Sequence, residues 1–301
     1  MQEYKIESDL KIRIDSYLAD ITDMSRSKIS KLLKDNIILV NDKNVKNSYV
    51  LKQGDIINIL EYDEPLSEIL PENIPLDIVY EDDDVIVVNK KNGMVVHPAL
   101  SNNSGTLVNA LMYHSKNLSK VNGEFRPGIV HRIDAYTTGL LMVAKNDNAH
   151  NFLAKQLEEK TTHRKYVALV WGVINTDTGT IDAPIGRDKL DRKKMAVTDV
   201  NSKEAITHFK VLERYKDATL IELKLETGRT HQIRVHMNYI NHPVVNDPVY
   251  GRRKMIDSTG QCLHAKTLGF NHPTTGEYME FESELPECFL NILEKFRDKN
   301  I

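Results

Sequence analysis

The sequence predicts a mixed α+β protein. A small N-terminal α/β unit (residues 1–62) leads through a linker (63–77) into a larger domain (78–301) whose central, largely antiparallel sheet carries flanking helices. Three observations predict this. Strand-like apolar runs, "DVIVVNK", "KYVALVWGVI" and "ATLIELKLET", are interleaved with amphipathic stretches of helical spacing. The chain has 301 residues, 41% of them hydrophobic, enough for one large core and one small one. Between them, "EYDEPLSEILPENIPLDIVYEDDD" carries three prolines and a crowd of acids with no sustained period, as a joint between mobile domains does.

In the N-terminal unit, "SRSKISKLLKDN" reads as a helix with Ser25 as N-cap and Ile29, Leu32 and Leu33 on one arc. At about 100° per residue, Arg26, Lys28, Lys31 and Lys34 fall on the opposite arc. Such a face is either solvated or a phosphate-binding surface. "NIILVND" follows as a short strand, "DKN" as a turn, and "LKQGDIINILEY" as a strand entered through a Gly-Asp turn. In the larger domain, "EAITHFKVLERY" and Leu140–Ala144 add strands to the three runs above, and "TLVNALMYHSK", "NAHNFLAKQLEE", "RTHQIRVHMNYI" and "PECFLNILEKFRDKN" supply the helices.

Several function classes are excluded or disfavoured. The net charge of -3 rules out a uniformly basic coat, so any nucleic-acid surface is a local patch. Two cysteines, Cys262 and Cys288, support neither a disulfide framework nor a thiolate metal site and fit a reducing cytoplasm. The charged N-terminus lacks a secretory core, and no apolar run approaches the ~18 residues of a membrane span, so a soluble protein is expected. His231 and His236 lie five apart and miss the spacing of a helical zinc site, so no metal is expected. No two glycines are separated by a single residue, which disfavours a dinucleotide or methyl-donor loop. "GEFRPGIV" lacks the Lys and Ser/Thr of a phosphate loop, and GxSxG is missing.

Polar residues cluster at the edges of apolar elements in "HRID" (His131, Arg132, Asp134), "RKYVALVWG" (Tyr166) and "TGRTHQIRVH" (Arg229). Singly, each has an ordinary structural explanation: a turn cap, a core tyrosine, a solvent-facing arginine. In order and wording, however, "PGIVHRIDAYTTGLLMVAKN", "RKYVALVWG", "APIGR…KKMAV", "ETGRTHQIRVHMNYINHPVVNDPVYG" and "LHAKTLGFNHP" resemble the pseudouridine synthases of the RluA and RluD type, over about Val79 to Phe281. The N-terminal unit, through "RIDSYL", "SRSKI", "ILVND" and "GDII", resembles the alpha-L RNA-binding motif, with Asn36 where that motif usually has glycine.

The resemblance implies an enzyme without cofactor that isomerises uridine in RNA. The glycosidic C–N bond breaks, the base turns, and a C–C bond forms in its place. It implies Asp134 as the catalytic aspartate, close enough to the ribose to act as nucleophile, base or electrostatic stabiliser. Arg229 is then the guanidinium that keeps this carboxylate ionised against desolvation. Tyr166 lies beneath the flipped base, stacking on uracil and moving a proton at C5. Arg132 fills the gap left by the extruded nucleotide and contacts phosphate, and His131 is either a hydrogen-bonder or a participant. Arg187, Lys189, Arg192, Lys193 and Lys194 form a loop, a solvated charge run or a clamp on the RNA backbone. RNA is the partner, large-subunit ribosomal RNA ahead of transfer RNA, with the chain working as a monomer away from membranes. A decayed RNA-binding or ribosome-assembly factor is the rival reading. Two positions depart from the family pattern: Tyr136 stands where an acid is common, and Lys91 where proline is. The first bears on the hydrogen bonds that shape the turn after Asp134.

Overall fold

The computed structural model describes residues 2–297 except 9–10, 23, 25, 61–68, 99–103, 124–125, 190, 192–193, 252 and 254. It divides into two compact units, Met1–Ser67 and Glu68–Ile301. The expected cap Ser25 and the basic residues Arg192 and Lys193 lie outside the described residues.

The smaller unit contains β1 (Gln2–Lys5), α1 (Ile14–Ile21), α2 (Arg26–Lys34), β2 (Ile38–Val40) and β3 (Ile56–Ile59), with the strands in antiparallel order β1-β3-β2. Ile14 and Leu18 of α1 meet Ile29, Leu32 and Leu33 of α2 over Ile38, Val40 and Ile57 of the sheet. This is the arc of α2 expected to be apolar. On the other arc Arg26, Lys31 and Lys34 are exposed and Lys28 is half-buried. Asn36 leaves α2 with φ 60°, a left-handed conformation that asparagine tolerates. In the Gly-Asp turn, Asp55 is buried and accepts hydrogen bonds from the Lys52 amide (2.9 Å), Asn41 (2.9 Å) and the Tyr49 hydroxyl (3.1 Å). Burial alone would raise its carboxyl, but these bonds outweigh it and hold the group below its ordinary value. β1 escapes sequence reading because "QEYK" is four residues of mostly polar chain, a strand only because β3 offers a free edge.

The larger unit is built on nine strands. They are β4 (Ile78–Glu81), β5 (Val85–Lys90), β6 (Thr138–Ala144), β7 (His163–Trp171), β8 (Thr178–Asp182), β11 (Ile206–Arg214), β12 (Ala218–Leu225), β13 (Leu263–Asn271) and β14 (Tyr278–Glu282). Their order is β4-β5-β6-β13-β7-β12-β11-β8, with β14 also on β13, and only β6 and β13 run parallel. A two-stranded hairpin, β9 (Ile185–Arg187) and β10 (Met195–Val197), stands apart. The helices are α3 (Leu107–His114), α4 (Asp147–Glu158), α5 (Gln232–Tyr239) and α6 (Glu287–Arg297). The largely antiparallel sheet therefore agrees with the sequence. β4, β8, β9, β10, β13 and β14 are additional to the expected strands.

Local chemistry explains the boundaries. Every residue of β6, "TGLLMVA", is buried, as a central strand covered on both faces requires. Thr106 and Asn109 cap each other reciprocally at the start of α3, and the Asn146 side chain accepts the Ala149 amide at the start of α4. Phe289, Ile292, Leu293 and Phe296 of α6 pack on Leu169 and Trp171 of β7. The second half of the expected linker belongs to this unit. The Glu72 amide donates to the Asn109 carbonyl (2.9 Å), Asn109 Nδ2 to the Leu70 carbonyl (2.8 Å), and the Asn89 amide to the Asp77 carbonyl (2.8 Å). Prolines there interrupt periodicity without freeing the backbone. Among the described residues no helix is long and apolar enough to cross a membrane.

Candidate active site

A cleft of about 340 Å³ in the larger unit brings together residues far apart in sequence. Its walls include Arg132, Asp134, Arg164, Tyr166, Arg229 and Arg234, with Ile233, Leu225 and Leu263 supplying apolar surface. The sheet order makes it. Gly139 of β6 and Tyr166 of β7 both pair with Ala265, so β13 lies between the strand that follows Asp134 and the strand that carries Tyr166.

Asp134 sits in a tight turn entering β6, where the Thr137 amide donates to its carbonyl (3.0 Å). The turn is fastened from below by Lys90, which is buried and donates to the carbonyls of Lys91 (3.0 Å), Met94 (2.9 Å) and Ala135 (2.8 Å). Burial pulls this ammonium down to about 7, with the nearby Asp134 charge acting in opposition. Gln261 Nε2 adds a bond to Thr137 Oγ1 (3.1 Å). Tyr136 turns its ring onto Gly260, where a Cβ would fall within 2.8 Å of it. With Tyr136 at this position, the turn is held by the Lys90 bond to the Ala135 carbonyl and the Gln261 bond to Thr137.

The guanidinium that reaches the carboxylate is that of Arg234, not Arg229. Arg234 Nη1 donates to Asp134 Oδ2 at 2.8 Å. The rest of the fork is taken by Asp247, which accepts from Nε at 2.7 Å and from Nη2 at 2.8 Å. The Tyr250 ring lies against it, 5.0 Å from the guanidinium carbon. Burial would lower Arg234, yet the Asp247 bonds and the charges of Asp247 and Asp134 reverse this and raise it. Burial would raise Asp247, and the Arg234 bonds hold it below the ordinary carboxylate range, helped by the amides of Tyr250 and Val249. Arg234 is thus fixed in one orientation as a permanent cation whose third nitrogen, Nη1, faces Asp134.

Arg229 lines the same cleft but donates from Nε to the Glu204 carbonyl at 2.8 Å, while its amide donates to Gln232 Oε1 at 2.9 Å. The expected Arg229–Asp134 pair is corrected on this geometry. The reason is where the helix starts. His231 adopts φ 57° and closes the loop, and α5 begins only at Gln232. Arg229 is left outside the helix, and Arg234, in its first turn, is aimed at the cleft.

The other expected residues take these places. Tyr166 is buried in β7 and lines the cleft. Burial raises its phenol, with the Asp134 charge adding and that of Arg164 opposing, so it is protonated at neutral pH. Arg132 is exposed at the cleft and donates from Nη1 to His97 (3.1 Å), whose ring burial and the arginine charges pull down to about 4. His131 accepts the Met142 amide on Nε2 (3.1 Å) and is held neutral at about 3 by burial and by Arg164, which fits the hydrogen-bonding role. Arg187 ends β9, and Lys194, just before β10, pairs with Asp191 at 3.8 Å. Neither lines the cleft. The hairpin is tied to it through Tyr250, whose hydroxyl accepts the Met195 amide (2.9 Å) and contacts His231 Nδ1 (2.8 Å). His231 Nε2 is 3.8 Å from Asp134.

Arg234, Asp247, Tyr250 and Lys90 were missed as site residues. The first three stand in the quoted stretches "HQIRVH" and "VVNDPVYG". The available signal was an acid and an arginine among otherwise buried neighbours, a combination that requires pairing.

Residues 84–239 match the model of the RNA pseudouridylate synthase family. The chain belongs to this family. It is therefore an RNA pseudouridine synthase, converting uridine to pseudouridine. It is 56% identical over 286 residues to the uncharacterized RNA pseudouridine synthase YlyB of Bacillus subtilis, covering 95% of this chain and 94% of that one. It is 45% identical over 299 residues to the ribosomal large subunit pseudouridine synthase D of Neisseria meningitidis, covering 95% and 79%. Among solved structures, human RNA pseudouridylate synthase domain containing 1 superposes with a TM-score of 0.58 at 26% identity, over 78% of this synthase and 98% of the human chain.

The geometry separates the two arginines experimentally. Lysine at 234 cannot bond both Asp247 oxygens and Asp134 at once, so Arg234→Lys is expected to slow single-turnover isomerisation by about 100-fold. Arg229→Lys, which gives up one bond to a carbonyl, is expected to stay within about tenfold. Tritium release from C5-labelled uridine measures both. The reverse ranking would show that the carboxylate depends on the other arginine during the reaction.

Proposed function

We propose that this synthase acts on uridines of large-subunit ribosomal RNA, in the cytoplasm and as a monomer, with Asp134 as the group that works at the ribose. The observation that carries the reading is the Asp134 carboxylate at the cleft, held at 2.8 Å by Nη1 of an arginine whose Nε and Nη2 both donate to a second, fully buried aspartate. Held there, the carboxylate would oppose the electron deficiency that develops at C1′ as the glycosidic bond breaks. Tyr166, a protonated phenol in the same wall, suits stacking on the flipped uracil and proton movement at C5. Arg132, exposed beside the cleft, suits the space the extruded nucleotide leaves.

Support for the ribosomal substrate comes from the Neisseria relative, a ribosomal large subunit pseudouridine synthase 45% identical over 95% of this chain, and from the N-terminal unit. The exposed side chains of Arg26, Lys31 and Lys34, on one arc of α2, match a surface that gains by displacing phosphate counterions.

The test presents C5-tritiated large-subunit ribosomal RNA and transfer RNA in parallel. Release from ribosomal RNA at least tenfold faster is the expected result. Release from transfer RNA alone would reassign the substrate, and release from neither, with RNA still bound, would favour the RNA-binding factor.

A further inference from the structure

We propose that Arg164 stabilises the negative charge that uracil carries when its bond to the ribose breaks. This rests on the reading of the cleft as the uridine site.

Arg164 precedes Tyr166 by two positions in β7, so both side chains leave the same face of the sheet and both line the cleft. The residue is only 7% exposed. Among the described residues its guanidinium has no ion-pair partner, and Nε is buried with no hydrogen-bond partner. Gly228 lets it lie against the chain, since a Cβ there would come within 2.9 Å of Nη1. Among the described residues no carboxylate lies within ion-pair distance of it, Asp134 in the same cleft being bonded to Arg234. His131 beside it is neutral, and Glu158, also at the cleft, is exposed and makes no ion pair with it. Burial accordingly lowers this guanidinium, with the Tyr166 phenol the one opposing influence. This is the opposite of Arg234, which the same cleft supplies with two carboxylates. A buried, unpaired cation is expensive to fold. It is retained where an anion or strong acceptor arrives with the ligand.

The reaction produces such an anion. When C1′–N1 breaks, its electron pair stays on N1 and spreads over O2 and O4 of the detached uracil, whichever route the sugar follows. The pair returns when C5 attacks C1′, and the C5 proton is then lost. Within this interval the base sits at Tyr166 with charge on its edge, and Arg164, two residues along the same face, is placed to hydrogen-bond a charged oxygen. Preorganised donors aimed at charge that develops in the reaction contribute most to rate and little to ground-state binding.

The experiment measures single-turnover rates on ribosomal RNA containing uridine or 5-fluorouridine. The fluorine makes uracil a more acidic, readier leaving group. Loss of the N-linked nucleoside from a digest reads cleavage in both. Arg164→Gln is expected to slow uridine by about 100-fold, leave RNA affinity within about threefold, and slow 5-fluorouridine much less. Arg164→Lys keeps the buried charge, so its fold is protected if glutamine unfolds the chain. Its ratio of fluorouridine to uridine rates is expected to exceed that of the wild type. A ratio unchanged in both variants, or a loss confined to RNA affinity, overturns the proposal. Wild-type enzyme that consumes neither nucleoside overturns the reading of the cleft itself.

Discussion

Asp134→Asn is expected to bring pseudouridine formation to background while the protein stays folded. The carboxylate accepts one bond from Arg234 and has His231 at 3.8 Å, and asparagine keeps its size and one carbonyl acceptor. Removing its charge leaves Arg234 with both bonds to Asp247, so no uncompensated cation is buried. The stability change should therefore be small, about 1 kcal/mol, the usual magnitude for one hydrogen bond. The rate behaves differently, because an amide can neither bond covalently to C1′ as a carboxylate does, nor accept a proton, nor offset positive charge there. Tritium release from C5-labelled RNA together with a thermal melt decides it. Turnover within tenfold of wild type, at an unchanged melting temperature, would remove Asp134 from the chemistry.

Gly139→Ala is expected to have the largest effect on folding. Gly139 has φ 105°, a conformation that L side chains rarely adopt, and it stands where β6 meets β13 in the sheet's one parallel pairing. A Cβ there would be driven onto the Ala265 carbonyl oxygen and lie 2.8 Å from both its carbon and its amide nitrogen. These are backbone atoms in the middle of a nine-stranded sheet and cannot rotate away. Relief requires β6 and β13 to separate, which opens the seam between Asp134 and Tyr166. A loss of several kcal/mol follows from the combined strain and overpacking. Little soluble protein, or a melting temperature lower by about 10 °C or more, is the expected result. A variant that melts like wild type would show that this seam can widen without loss.

Much of the fold is legible in the sequence because its signals are local. The all-apolar run of β6, the amphipathic α2, the helical spacing of α3 and the left-handed Asn36 each follow from a few adjacent residues. The strands that escape reading have no such signal. β1 is short and polar, and β14, "YMEFE", buries no residue fully. Both are strands because a neighbour presents an open edge. β13 is the instructive case. "LHAKTLGFN" is apolar enough to be a strand, but only the assembled sheet inserts it between β6 and β7.

What the sequence alone determined is the chemistry on offer. The order of its motifs indicated the family, an aspartate at the mouth of a buried strand, a tyrosine within another, and arginines at the start of a helix. What the tertiary structure decided is which arginine serves. Arg229 and Arg234 are five residues apart in one motif, and type and spacing do not separate them. A left-handed residue at His231 and a helix that begins at Gln232 aim one at the carboxylate and leave the other to a backbone carbonyl. The direction of a side chain is set by the backbone beneath it, and the oxygen it reaches is brought there by a strand about a hundred residues away.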